Sequence, residues 1–216
     1  MQEKNSAVLF DLDGTLLNSG KTFHKIVNLL KKERRQDEVP FEKVRKYSSR
    51  GASLILKNSF PEIDDDQLAD LKESFLKKYF ELMLNDIYIY DGVIELIEFF
   101  NYQSISWGIV TNKSEKYTRP IIEKLGWNKF TNAVICPEDI SKTKPDPEGI
   151  IKALDILNAL NSKSYYVGDH IRDIETGKNA NVKTVACTYG FHESDPNSWQ
   201  ADYIINKPIE LKEIIQ

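Results

Sequence analysis

Apolar residues in this chain follow two rhythms. Short runs rich in β-branched and aromatic residues recur at residues 7–10, 105–110, 133–136, 165–167, 182–186 and 203–205, and they read as strands. Between most of them apolar residues return every three or four positions, which predicts helices over 91–102, 114–125, 147–157, 172–179 and 209–215. Strand alternating with helix implies an α/β architecture, a parallel sheet covered on both faces. Local signals agree. Asp146-Pro147 fits an N-cap followed by a first-turn proline, and Gly126 fits a helix stop.

One interval breaks the alternation. About ninety residues separate the first run from the second, far more than a single crossover helix needs, so a second unit is inserted there. Within it Thr22, Phe23, Ile26, Val27 and Leu30 keep helical spacing, as do Leu68, Leu71, Phe75, Tyr79 and Leu82; shorter helices are predicted at 41–47 and 52–58. The expected division is an all-helical unit over 17–90 inserted into a core of 1–16 and 91–216, with Asp91-Gly92 as the return turn.

At 216 residues either unit count buries a self-sufficient core. The net charge of −4, with acids and bases interspersed, lacks the basic footprint that nucleic acid or an anionic membrane surface demands. The N-terminal segment is polar and the apolar run after it is short, so neither a signal peptide nor a membrane span is expected, and the cytoplasm is the expected compartment. Cys136 and Cys187 sit in strand-like runs without metal-ligand spacing and read as buried, reduced thiols. Trp107 and Trp127 read as core residues, Trp199 as a loop anchor, and the run Lys31-Lys32-Glu33-Arg34-Arg35 as a solvated helix face. No feature of the sequence sets an oligomeric state.

Candidate chemistry gathers where the strands end. Ligands of open parallel sheets bind outside the carboxyl ends of the strands. The first run ends in Asp11-Leu12-Asp13-Gly14-Thr15, and strand periodicity sends Asp11 and Asp13 the same way, where a cation and a phosphate can meet both. Thr111-Asn112 follows the second run. Lys142 to Pro147 follow the third, and Gly168-Asp169-His170-Ile171-Arg172-Asp173 the fourth. Bland readings stand beside these. Thr111-Asn112 can simply cap the next helix, Lys144 can be one exposed lysine among many, and Asp173 can do no more than favour the positive end of its helix. His170, alone among oxygen-bearing neighbours, argues neither for zinc nor for base catalysis.

The joint series D-x-D-G-T, Thr-Asn, Lys-Pro and G-D-x-x-x-D resembles the phosphohydrolases of the haloacid dehalogenase-like superfamily, over a stretch from Val8 to about Ile205. The helical insertion looks like that family's C1-type cap on a Rossmann-like core, and residues 11–19 are similar to phosphoglycolate phosphatase-like members. Two positions depart from the pattern: Asn18 stands where an aspartate is frequent, and Thr143 where a glycine commonly precedes the lysine. Neither removes a reacting group.

The resemblance implies two-step phosphoryl transfer. Asp11 attacks phosphorus and Asp13 moves the protons. Mg²⁺ is held by Asp11, the main-chain oxygen of Asp13, Asp169 and, directly or through water, Asp173. Lys144 neutralises charge, while Thr111, Asn112 and the backbone amides near Leu12 and Gly14 bind phosphate oxygens. Arg50, beside Gly51 in a loop of the insertion, either grips a distal anion of the substrate or is an exposed arginine in a turn. The implied partner is a small phosphorylated metabolite, with phosphoglycolate, sugar phosphates, nucleoside monophosphates and pyrophosphate all open. A phosphomutase or a catalytically silent phosphate-binding module are the competing functions; a dehalogenase or a receiver-type switch fits the residues less well.

Overall fold

The computed structural model describes residues 5–215; residues 1–4 and 216 of the expected core lie outside the described residues. Six strands form one parallel sheet in the order β3-β2-β1-β4-β5-β6. They are β1 (Ala7–Phe10), β2 (Ser106–Val110), β3 (Val134–Ile135), β4 (Tyr165–Gly168), β5 (Lys183–Cys187) and β6 (Tyr203–Ile205). β1 is buried on both sides: Ala7 and Leu9 pack with Ile150, Ala153 and Leu154 of α7 (Glu148–Ile156), whereas Val8 and Phe10 join the core on the other face. That explains its unbroken apolar run. The chain order passes from β1 to β2 and β3 on one side, then crosses back to β4 on the other, so β1 and β4 flank the crevice where such sheets hold ligands.

The long interval after β1 carries α1 (Ser19–Glu33), α2 (Phe41–Arg45), α3 (Ala52–Ser59) and α4 (Asp65–Leu82) before α5 (Val93–Tyr102) returns to the sheet. α4 starts from a reciprocal cap: Asp64 accepts from the Gln67 amide at 2.8 Å, and the Gln67 side chain accepts from the Asp64 amide at 3.2 Å. The outgoing and returning strands of chain lie side by side. Asn18 N–H donates to Tyr88 O at 2.7 Å and Tyr90 N–H to Leu16 O at 3.1 Å, around an antiparallel bridge between Leu17 and Ile89. Gly92, at φ +88°, makes the return turn in a conformation that favours glycine. Apolar packing then continues from the sheet into the insertion, where Tyr79 of α4 meets Phe23 of α1 at 5.2 Å and Tyr117 of α6 (Glu115–Lys124) at 5.3 Å.

Several expectations shift by a residue or two. Only Val134–Ile135 of the third run is paired as strand, and the last predicted helix is a 3₁₀ turn, Pro208–Glu210, followed by the short α9 (Leu211–Ile214). Asp146 does accept from the Glu148 amide at 3.0 Å, but the first helical residue is Glu148 and Pro147 precedes it. Lys31 leaves the solvated face assigned to it. Its ammonium lies 4.2 Å over the Phe60 ring and its side chain is buried, an arrangement that long aliphatic stems permit. Both cysteines are free and buried, Trp107 packs edge-on against Trp127 at 5.9 Å, and Trp199 is anchored by its Nε1–H to Ser194 Oγ at 2.8 Å. Among the described residues no helix is long and apolar enough to cross a membrane.

Candidate active site

The carboxyl ends of β1, β2 and β4, with the loop after β3, deliver their polar residues to one place. Asp11 continues β1 by one residue, its N–H donating to Val167 O of β4 at 2.9 Å. The chain must then turn sharply. Gly14 does so at φ +95°, and a Cβ there would lie 2.0 Å from Asp169 Oδ2, so glycine is required both by the backbone and by the neighbouring acid. Gly168 and Gly190 give way likewise: a Cβ on either would fall 2.2–2.3 Å from the Cβ of Asp173 or Asp169. The backbone is shaped to let carboxylates crowd.

Asp11, Asp169 and Asp173 each offer an oxygen within 4.8 Å of the others. Lys144 reaches in from the loop after β3. Its Nζ donates to Asp11 Oδ1 and Asp173 Oδ1, both at 2.7 Å, and to Tyr166 OH at 3.0 Å, while that hydroxyl donates to Val110 O at 2.8 Å. All three ammonium protons are used. Asp173 also accepts from the His170 amide at 3.1 Å, and Asp169 accepts from the Phe191 amide at 2.7 Å, from Ser49 Oγ at 3.4 Å and from Thr15 Oγ1 at 3.3 Å.

One ammonium does not neutralise three carboxylates. Burial pushes the Asp11 carboxyl above its ordinary value, against the pull of Lys144 and with a further push from Asp173. Burial, then the charges of Asp11 and Asp173, hold the Asp169 carboxyl well above its own. For Lys144 burial alone would favour the neutral amine, but Asp11 and Asp173 reverse this and hold the ammonium firmly protonated. An all-oxygen donor set with excess negative charge is what a hard divalent cation requires, so the residues fit Mg²⁺.

Asp13 lies on the same cavity with its carboxylate held by Lys113, whose Nζ donates to its two oxygens at 2.8 and 3.1 Å. That ammonium also sits 4.6 Å from the Tyr79 ring centroid, linking the acid to the helical insertion. Burial lowers and the Asp13 charge more than restores its proton affinity. Thr111 and Asn112 line the cavity, but their bonds are internal: Thr111 Oγ1 accepts from the Lys113 amide at 3.2 Å, and the Asn112 carboxamide clasps the Lys144 main chain at 3.2 and 3.4 Å. Neither caps α6; Glu138 does, accepting from the Glu115 amide at 3.0 Å. The Gly14 amide, expected to be open to phosphate, donates to Leu17 O at 2.7 Å.

Arg50 ends the turn Ser48–Arg50 on the cavity wall, where its Nε lies 3.0 Å from Glu193 Oε1. A distal anion at Arg50 would therefore share the guanidinium with Glu193. His170 caps α8 (Ile171–Asn179) by accepting from the Arg172 amide at Nδ1, 3.1 Å away, and burial followed by the Arg172 charge lowers its pKa to about 4. The cavity enclosed by these groups measures about 550 Å³, within the range of small-molecule sites, and the aromatic residues Phe75, Tyr79 and Tyr117 complete its lining. Lys113, Tyr166, Ser49 and Arg172 were not singled out by the motifs. Adjacency to Asn112 and Asp173 was the only signal for Lys113 and Arg172.

A carboxylate cluster at the β1/β4 crevice, an ammonium from the following loop and a helical insertion closing above it define a hydrolase of one established kind. Residues 8–187 match the haloacid dehalogenase-like hydrolases, and the chain belongs to that family. The N-acetylmuramic acid 6-phosphate phosphatase of Pseudomonas aeruginosa is 34% identical over 97% of this chain and 94% of its own length. The phosphoglycolate phosphatase of Xanthomonas campestris pv. campestris is 34% identical over 96% of this chain and 95% of its own. A solved structure described as a predicted phosphoglycolate phosphatase from Haemophilus somnus superposes with a TM-score of 0.85 at 23% identity, covering all of both chains, and shares the fold. The chain is an enzyme of the phosphatase kind within this family.

Proposed function

We propose that the protein hydrolyses small phosphate monoesters in a Mg²⁺-dependent reaction through an aspartyl-phosphate on Asp11. The observation that carries this reading is the contact of Lys144 with Asp11 at 2.7 Å inside a cluster of three buried acids. Bringing a carboxylate to a phosphate dianion is repulsive by about 4 kcal/mol per unit-charge pair at 4 Å and an effective dielectric of 20. Lys144 offsets part of that repulsion and fixes the rotamer of the attacking carboxylate. Asp11, Asp169 and the main-chain oxygen of Asp13 would hold Mg²⁺, with Asp173 directly or through water; the cation supplies positive charge for the phosphate oxygens when bound.

In the first half-reaction an Asp11 oxygen forms a bond to phosphorus as the ester oxygen leaves, and Asp13 delivers the proton that oxygen needs. In the second, Asp13 removes a proton from water, which displaces Asp11 and releases inorganic phosphate. Lys113 holds Asp13 toward the cavity. Thr111 and Asn112 line the same cavity and would bind phosphate oxygens, and Asn112 in addition keeps Lys144 in place. The helices over 17–90 act as a cap domain on the core, excluding water and shaping the leaving-group site with Arg50 in its wall. The substrates named for the Pseudomonas and Xanthomonas relatives share a feature that bears on this chain: muramic acid and glycolate each carry a carboxylic acid besides the phosphate.

The test is release of inorganic phosphate from a panel holding phosphoglycolate, N-acetylmuramic acid 6-phosphate and p-nitrophenyl phosphate, with Mg²⁺ and with EDTA. Turnover is expected only with Mg²⁺, and Asp11→Asn should abolish it while the protein keeps its circular dichroism spectrum. Activity retained by Asp11→Asn, or an isomerised sugar phosphate in place of free phosphate, overturns the reading.

A further inference from the structure

Arg172 is a half-buried arginine without a counterion among the described residues. It stands in the first turn of α8, one residue before Asp173, and its side chain lies on the cavity wall. One Nη donates to the main-chain oxygen of Ser49 at 3.2 Å; its Nε is buried and has no hydrogen-bond partner. Among the described residues no carboxylate lies within 4.0 Å of it. The neighbouring arginines of this region differ: Arg50 is paired with Glu193, and Arg45 with Glu42 and the Gly190 carbonyl. A partly desolvated cation whose charge no neighbouring acid meets favours an acid acceptor, and the side of the guanidinium open to solvent faces the cavity.

Its position fixes what that acceptor belongs to. Ser49, whose carbonyl takes the Arg172 bond, also turns its hydroxyl to Asp169 Oδ2 at 3.4 Å, so the guanidinium stands one serine away from the acid cluster. A phosphate reacting at Asp11 would leave the rest of its substrate between this wall and the aromatic side chains of Phe75 and Tyr79. The second Nη, which has no hydrogen-bond partner among the described residues, can meet a carboxylate in a charge-assisted hydrogen bond, whereas a hydroxyl would leave the charge unmet.

We propose that Arg172 is a specificity-determining residue that binds a carboxylate on the leaving group, making phosphate monoesters of hydroxy acids and sugar acids the preferred substrates. The proposal rests on the phosphatase reading above, and the two fail differently. Two matched pairs are used: N-acetylmuramic acid 6-phosphate against N-acetylglucosamine 6-phosphate, which lacks the lactyl acid, and phosphoglycolate against 2-hydroxyethyl phosphate. The readout is the ratio of kcat/KM, acid over neutral member, in wild type and in Arg172→Gln. For at least one pair the wild-type ratio should be about tenfold or more, and the variant should reduce it by about 10–100-fold, the equivalent of a lost charge-assisted hydrogen bond. A wild-type ratio near one overturns the inference while leaving phosphatase activity standing. An equal loss on both members also overturns it, because Arg172 would then only brace the Ser49 turn. Turnover of none of the four esters, nor of p-nitrophenyl phosphate, removes the phosphatase reading and the inference with it. Arg172→Lys, which keeps the charge and loses the fork, is read on the same scale and should show an intermediate ratio; it replaces the glutamine variant if that one does not fold.

Discussion

Replacing Lys144 by methionine isolates the electrostatics of the acid cluster. The lysine is 5% exposed, and its ammonium sits 2.7 Å from an oxygen of Asp11 and of Asp173. At that separation and an effective dielectric of 20 a unit pair attracts by about 6 kcal/mol before desolvation is counted. Desolvation removes much of this, and deleting one partner of a buried pair costs about 3–5 kcal/mol because the stranded charges stay behind. Methionine nearly conserves volume, so little of the loss comes from a cavity. In a chain of this length 1 kcal/mol corresponds to about 2–4 °C, which puts the melting temperature at pH 7.5 in EDTA about 6–20 °C below wild type. The deficit should depend on pH. Burial already raises the Asp11 carboxyl, and Lys144 is the strongest opposing influence, so without it the folded-state value rises further above the unfolded one. A carboxyl raised by folding binds more protons in the native state, and its penalty grows as pH rises through that window. Urea melts at pH 7.5 and pH 5 should therefore show the variant's deficit shrinking on acidification, and Mg²⁺ should narrow it at the higher pH, because an acid cluster that has lost its ammonium binds the cation more tightly than wild type does. A loss below about 1 kcal/mol at pH 7.5, or a deficit equal at both pH values, refutes the reasoning.

Gly14→Ala combines a strained φ with a Cβ placed 2.0 Å from Asp169 Oδ2, so it should cost about 2–4 kcal/mol in a denaturant melt and weaken the Mg²⁺-induced rise in melting temperature; a variant that melts and binds Mg²⁺ like wild type would show that the turn relaxes freely. Burial pushes the Cys136 thiol up to about 11 and Cys187 well above its ordinary value, so neither should react with iodoacetamide at pH 8 in the folded protein while both react in urea. Between pH 9 and 11 the unfolded chain loses the Cys136 proton that the native state keeps, so this residue's contribution to stability should fall as pH rises, and a Cys136→Ala variant should lose that slope.

The parts legible in the sequence were those that periodicity and chain order determine. Asp11, Lys144, Asp169 and Asp173 each follow a strand, and a parallel sheet must bring such residues to one edge, so the site could be assembled before its distances were known. What the pattern does not encode is which of several adjacent charges turns inward. Lys113 and Arg172 are two of 29 basic residues, and nothing local distinguishes them from a solvated lysine or arginine. Arg50 read either as a distal-anion contact or as an exposed arginine in a turn, and neither reading supplied its partner, because Glu193 is remote in the chain. Tyr166 lies inside the strand-like run 165–167 and its ring is buried; only its hydroxyl, bridging Lys144 and Val110 O, belongs to the site. Thr111 and Asn112 were placed at the correct edge, but the bonds they make to the Lys113 and Lys144 main chains depend on the path of two loops.

The way the chain leaves β1 and comes back carries a consequence for its ancestry and its engineering. Leu16 to Asn18 and Tyr88 to Tyr90 run alongside each other as a hydrogen-bonded pair, so the seam through which roughly seventy residues enter and exit is no wider than a hairpin. A doorway that narrow leaves the ends of β1 and α5 independent of the length of what hangs from it. Segments of other sizes can be grafted at the same two points without shifting β1 or α5, whereas the contacts of Ser49, Arg50 and Tyr79 with Asp169, Glu193 and Lys113 are the ones a graft would have to rebuild.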